Sequence, residues 1–179
     1  MKRIAILILF FVVCEFGFAE EFETNVYLGS LGIGGSYTFI ENKMNFDFKL
    51  ELMDVQTESK STNIVIQMTP INYYYTSLNN NHIFSILNIT LSWDALGSGD
   101  PRGEFLGPFL TMHALNINFE NSDTKIDYIG ISAGLRIILD PLLGFEFGYK
   151  YINGRHNSFI LFRCDLLHLI AAPLILSLI

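Results

Sequence analysis

Eight charged residues each stand between two apolar or aromatic neighbours: Asp47, Lys49, Glu51, Arg136, Glu146, Lys150, Arg163 and Asp165. Acids and bases in equal number, set in apolar surroundings, suit two kinds of chemistry. Turned inward together they would ion-pair and plug an interior, because a buried charge left alone costs several kcal/mol. Less tightly paired, they would line a polar path for ions or small solutes. The four histidines, His82, His113, His156 and His168, lack metal-ligand spacing. No phosphate loop, Walker motif or cysteine pair is present. Neither a metal nor a cofactor is therefore expected.

The elements that carry these residues read as strands. From Lys43 to Glu51, Met44, Phe46, Phe48, Leu50 and the following Leu52 occupy one face and Lys43, Asn45, Asp47, Lys49 and Glu51 the other. Such a period of two is that of a strand with unlike faces. Asn25 to Phe39 opposes Tyr27, Leu31, Ile33, Tyr37 and Phe39 to Ser30, Gly32, Gly34, Ser36 and Thr38. Ile126 to Leu139 opposes its isoleucines and leucines to Gly130, Ser132, Gly134 and Arg136. Weaker alternation marks 63–75, 83–93, 105–118, 143–151 and 159–167. Pro70 suggests a bulge or an edge, and Gly107-Pro108 a second irregularity. Turn residues separate the runs at 41–42, 54–62, 79–81, 94–104, 120–124, 140–141 and 153–154. Seven connections imply eight strands.

Composition sharpens the class. Half of the chain is hydrophobic and only 16% is charged, against roughly 25% charged in soluble domains. Yet beyond Ala19 no apolar stretch reaches the roughly twenty residues of a spanning helix. At the start, Lys2 and Arg3 precede the apolar run 4–13, and Gly17 and Ala19 supply small residues before Glu20. This is the pattern of a signal peptide over residues 1–19. A lipoprotein cut before Cys14 would need small residues where Phe11, Val12 and Val13 stand. Removing residues 1–19 takes away Lys2, Arg3 and Glu15, so the net charge moves from −7 to −8. An acidic chain offers nucleic acid no basic patch. Cleavage leaves Cys164 alone, so no internal disulfide can form.

Alternation does not say which face is outside. A soluble, lipocalin-like periplasmic barrel would turn its apolar face inward onto a ligand. A transmembrane barrel would turn it onto lipid. The small residues opposite the apolar faces fit a cramped lumen. The aromatics near strand ends, Tyr27, Tyr37, Phe39, Tyr73 to Tyr75, Trp93, Tyr149 and Tyr151, fit interface girdles. The expected fold is all-β: a single antiparallel up-and-down transmembrane β-barrel of eight strands over residues 20–179, following a cleaved signal peptide. The eight charges then face the lumen as a pairing network. The tail 166–179 is almost wholly apolar and lacks a terminal aromatic.

The signal peptide, the eight alternating segments and the Gly-rich first strand resemble the small outer-membrane barrels of the OmpA transmembrane-domain, OmpX and OmpW type. The resemblance spans most of the chain as pattern, without a diagnostic motif. It implies an outer-membrane location in a double-membrane bacterium, with a structural, surface-interaction or limited small-solute passage role. Implied partners are outer-membrane lipid, the barrel-assembly machinery and extracellular ligands, with the chain a monomer. A second resemblance concerns His156-Asn157-Ser158, which is similar to the His-x-Ser pair of outer-membrane lipid A deacylases. It implies Ser158 as nucleophile and His156 as base. The chain departs from that family in continuing Phe159-Ile160-Leu161, with only Asp165 as a downstream acid.

Overall fold

The computed structural model describes residues 22–59, 62–96, 104–121, 123–140, 143–152 and 154–166. The expected signal peptide and the apolar tail after Leu166 lie outside the described residues. Ten strand segments follow one another: β1 (Phe22–Leu28), β2 (Ser30–Thr38), β3 (Lys43–Glu51), β4 (Met53–Ser59), β5 (Ile64–Thr76), β6 (Asn81–Trp93), β7 (Phe105–Glu120), β8 (Asp123–Asp140), β9 (Leu143–Ile152) and β10 (Arg155–Asp165). β1 and β2 form one stave interrupted at Gly29, and β3 and β4 another interrupted at Leu52. Every neighbour is antiparallel, and β10 closes on β2 from Asn157↔Thr38 to Asp165↔Ser30. The result is a closed eight-stranded barrel.

Asparagine makes most of the turns. Asn42, Asn63, Asn79, Asn80 and Asn121 all take positive φ, which their short polar side chains tolerate better than most. Glycine serves the walls. Gly134 and Gly148 face each other across β8 and β9, where a Cβ on either would stand 2.7 Å from the other's Cα. Strands can pass that closely only without side chains.

The alternation is interrupted along one line. Inward, buried residues are three apart rather than two at Glu51/Asp54, Thr69/Asn72, Ser85/Asn88 and His113/Asn116. The residues between include Pro70 and Leu87, which fall opposite each other, and then Ala114 and Ile129 further round. Each strand exchanges its inner and outer faces there, while the ladder keeps its register: Thr69↔Asn88 on one side and Ile71↔Ile86 on the other. Leu87 (φ 57°) and Ile129 (φ 66°) absorb the change in the left-handed region, at a cost of about 1–3 kcal/mol each. β9 and β10 have no such break.

This seam explains one correction. Asp54 to Thr62 reads as a connection because alternation fails at Leu52-Met53. Both of these side chains point outward, after which the strand resumes in the opposite phase and runs to Ser59. Two smaller differences concern β10, which begins at Arg155 rather than Phe159, and Gly107-Pro108, which sits in regular pairing with Arg136 and Leu135. The β6–β7 ladder ends at Ser92↔Phe109, so the missing N–H of Pro108 falls beyond the last β6 pair.

Candidate functional site

The lumen is polar and the exterior apolar. Facing outward are Ile131, Leu135, Phe145, Phe147, Ile160 and Phe162, while Asp47, Glu51, Gln56, Gln67, Thr69, Asn88, Asn116 and Arg136 are buried inside. The arrangement is the reverse of a barrel that encloses an apolar ligand. Two apolar clusters also lie in the interior: Val65, Phe105 and Ile138, and Phe109, Phe159 and Leu161.

Five of the eight charges identified from sequence converge. Glu146 of β9 accepts from Arg136 Nε at 2.8 Å and from Arg163 at 2.5 Å, and lies 3.4 Å from Lys49 Nζ. Glu51 takes the other sides of Lys49 (2.7 Å) and Arg163 (3.4 Å), and receives the Ser30 hydroxyl at 2.6 Å. Arg136 also donates to Gln67 Oε1 at 3.2 Å and lies 5.3 Å from the Phe109 ring. Cross-strand placement makes this possible, because Arg136 pairs with Glu146 in the ladder. Every charge in the cluster thus meets opposite charge or a polar partner, as burial demands.

Asp47 and Lys150 form a second centre, 3.1 Å apart, with the Tyr74 hydroxyl donating to the same carboxylate oxygen. Lys150 Nζ lies 3.6 Å from the centre of the Tyr74 ring, within cation–π range. Tyr74 therefore belongs to the lumen and not to the aromatic girdle in which its position near a strand end places it. Asp165 is buried at the end of β10, opposite Ser30.

Sequence reasoning missed two groups. Asp54 faces inward from β4 and accepts the Thr69 hydroxyl at 2.6 Å; it was hidden by the seam. The other group is neutral. His113 Nδ1 lies 2.7 Å from Asn88 Oδ1, and its Nε2 lies 3.1 Å from Ser132 Oγ. The inward row Thr111, His113 against Leu110 and Met112 was a legible signal for the histidine. Beside this chain, Asn116 accepts the Ser85 hydroxyl at 2.6 Å. A cavity of about 40 Å³ lies between the neutral wall and the Asp47–Lys150 centre, bordered by Asn72, Tyr74, Ser85, His113, Ser132 and Lys150 among others. That is room for roughly three waters.

Outside, one rim carries two matched clusters. Tyr75 stands directly opposite His82, and Tyr151 opposite His156. The Tyr73 hydroxyl meets His82 Nδ1 at 2.7 Å, and the Tyr149 hydroxyl meets His156 Nδ1 in the same way. The two clusters lie four staves apart, on opposite sides of the barrel. Ser158 shares the outer face of β10 with His156, but among the described residues no hydrogen bond joins them. At the rim, Arg155 bridges Glu120 (2.7 Å) and Glu41 (3.2 Å). The Arg155 hydrogen bond holds the Glu120 carboxyl below its ordinary value near 4.5.

No family model matches the chain, and no curated protein matches it. Among solved structures it is similar to a de novo designed transmembrane β-barrel, at 13% identity and a TM-score of 0.45, over 78% of this chain and 97% of that one.

Proposed function

We propose that the chain is an integral outer-membrane β-barrel whose ion-paired lumen closes it to all but water-sized solutes, with its role in envelope structure or surface interaction. The observation that carries this reading is the inversion of polarity. Apolar and aromatic side chains cover the outside on every stave, while ionised and amide side chains fill the inside. In water such a surface far exceeds the few hundred Å² of contiguous apolar patch that soluble monomers expose. In a bilayer it is the required surface. Aromatic rings at the rim suit the headgroup layer, and lipid is the partner that this surface fits. Closure removes the strand edges through which copies would join, in keeping with a monomer. The lumen supports a plug: four cations and four carboxylates, Asp54 included, meet at mid-depth and leave only a small cavity.

The test is heat-modifiable gel migration of the protein extracted from membranes of a double-membrane bacterium. Different mobilities for unboiled and boiled protein from the outer-membrane fraction are expected. Recovery in the aqueous fraction without detergent, with no mobility difference, would count against membrane insertion.

A further inference from the structure

The outer face of the barrel carries one arrangement twice. Tyr73 and Tyr75 stand fourth from last and next to last in β5, and His82 stands second in β6. Tyr149 and Tyr151 hold the same places in β9, and His156 is second in β10. Both trios therefore lie at the same rim, on hairpins on opposite sides of the barrel. In each, one tyrosine hydroxyl is hydrogen-bonded to the histidine Nδ1. The other tyrosine lies beside the imidazole, with ring centres 5.0 Å apart for Tyr75 and His82 and 4.6 Å for Tyr151 and His156.

Each trio has two polar hydrogens that the protein leaves unused. If the phenol donates to Nδ1, the neutral imidazole keeps its proton on Nε2; if Nδ1–H donates, the phenol keeps its own. Either way the bonded pair retains one donor. The Tyr75 and Tyr151 hydroxyls add a second, since neither has a hydrogen-bond partner among the described residues. Apolar rings flank both trios: Phe84 lies 5.1 Å from Tyr73, and Phe39 6.3 Å from Tyr149, centre to centre. Aromatic groups at this position sit at headgroup depth, where lipid phosphates and ester carbonyls accept hydrogen bonds. The phosphate is the better match, because a hydrogen bond to an ionised oxygen is roughly twice as strong as one to a neutral oxygen. The carboxylates at this rim do not oppose an anion unchecked, as Glu41 and Glu120 are paired with Arg155 and Lys125.

We infer that each trio binds the phosphate of a membrane phospholipid, one lipid per trio, with the flanking phenylalanine against its glycerol and upper acyl chain. The inference rests on the membrane-spanning reading, since a bilayer brings phosphate and acyl chain to this depth together. Free phosphate would gain two neutral donors and lose its water shell, whereas a phospholipid also gains apolar contact. Two such lipids on opposite sides hold the barrel upright against one leaflet.

The probe is dioleoyl phosphatidylglycerol, offered to the folded full chain in a phosphate-free detergent, with bound lipids counted by native mass spectrometry. Dioleoylglycerol, which has the same chains and no phosphate, is the control. Two phosphatidylglycerol molecules per barrel are expected to be retained, and dioleoylglycerol to be lost. Combining Tyr73→Phe, Tyr75→Phe and His82→Phe keeps the rings of one trio and removes its donors. That variant should bind one lipid roughly 10- to 100-fold more weakly, the usual worth of hydrogen bonds to a charged group. Tyr149→Phe, Tyr151→Phe and His156→Phe together should release the other. Equal retention of dioleoylglycerol, or two lipids kept with all six changes in place, reduces the trios to an aromatic girdle and overturns the proposal. Displacement of the lipids by millimolar inorganic phosphate overturns it too, in favour of a free anion. Heat-modifiable migration checks that each variant is folded. A heat-modifiable barrel that retains no phospholipid sinks this inference alone, whereas an unshifted protein in the aqueous fraction removes the membrane reading beneath it.

Discussion

The two walls of the lumen solve the same problem by different means. The wall built from β3, β9 and β10 carries ionised groups, and Arg136 of β8 reaches into it. The wall built from β5, β6 and β7, with Ser132 of β8, is uncharged: chiefly serine, threonine and asparagine, with Gln67, Tyr74 and His113. On the charged side each ion is held by two or more partners, as Glu146 is by Arg136, Arg163 and Lys49. On the neutral side single hydrogen bonds run from strand to strand, as in Thr90 to Thr111 at 2.8 Å and Asn88 to His113 to Ser132. The charged wall holds its ions through shared partners, although Asp47 Oδ1 is buried without a hydrogen bond among the described residues. The neutral wall retains an unpartnered donor, a cavity and strained backbone. One interior thus joins an ionic wall of shared, multiple contacts to an uncharged wall of single hydrogen bonds, with the small cavity between them.

Perturbing the charged wall should have the largest effect. Glu146→Ala leaves Arg136 and Arg163 facing each other with one carboxylate fewer, and is expected to destabilise the barrel by about 3–5 kcal/mol. Arg136→Ala should cost less, about 2–3 kcal/mol, because Glu146 keeps Arg163 and Lys49. Both are read as shifts in the urea midpoint of the refolded protein. Equal midpoints for Glu146→Ala and the unaltered barrel would show that the charges do not hold the interior together.

On the neutral wall, Asn88→Ala removes the acceptor for His113 and is expected to cost about 1–2 kcal/mol. A loss as large as that of Glu146→Ala would erase the contrast between the walls.

The rim should respond least, and to pH. The carboxyl of Glu120 is more acidic in the fold than in the unfolded chain. Its contribution is therefore present above its ordinary value near 4.5 and is lost as pH falls through the lower folded value. Acidification from pH 5 downward should lower the urea midpoint slightly, and Arg155→Gln should weaken that dependence. A midpoint that rises on acidification would contradict the assignment.

Much of this architecture was legible because strands with one apolar and one polar face alternate so regularly. Lys49 lies between Phe48 and Leu50, and Glu146 between Phe145 and Phe147, so the inward face could be read without knowing a partner. Pairing could not be read in the same way. That Arg163 bridges Glu51 and Glu146 depends on register and closure, which no local pattern encodes. The seam was the principal obstacle. It shifts the phase of β4 to β8, so Asp54 resembled a turn residue. Pro70 marked the line, but a single proline does not show that neighbouring strands change face in step. Tyr74 was misplaced for a related reason, because Tyr73 to Tyr75 place aromatics on both faces and only the phase tells which one enters.

Trp93 reports directly on whether the apolar exterior meets lipid. It is the single tryptophan of the chain and is about half exposed at the end of β6. The measurement is its fluorescence in the folded protein reconstituted into vesicles with brominated acyl chains, compared with unbrominated ones. Strong quenching by the bromines and a blue-shifted emission are expected. An unquenched tryptophan emitting as in water would place this surface outside the bilayer and contradict membrane insertion.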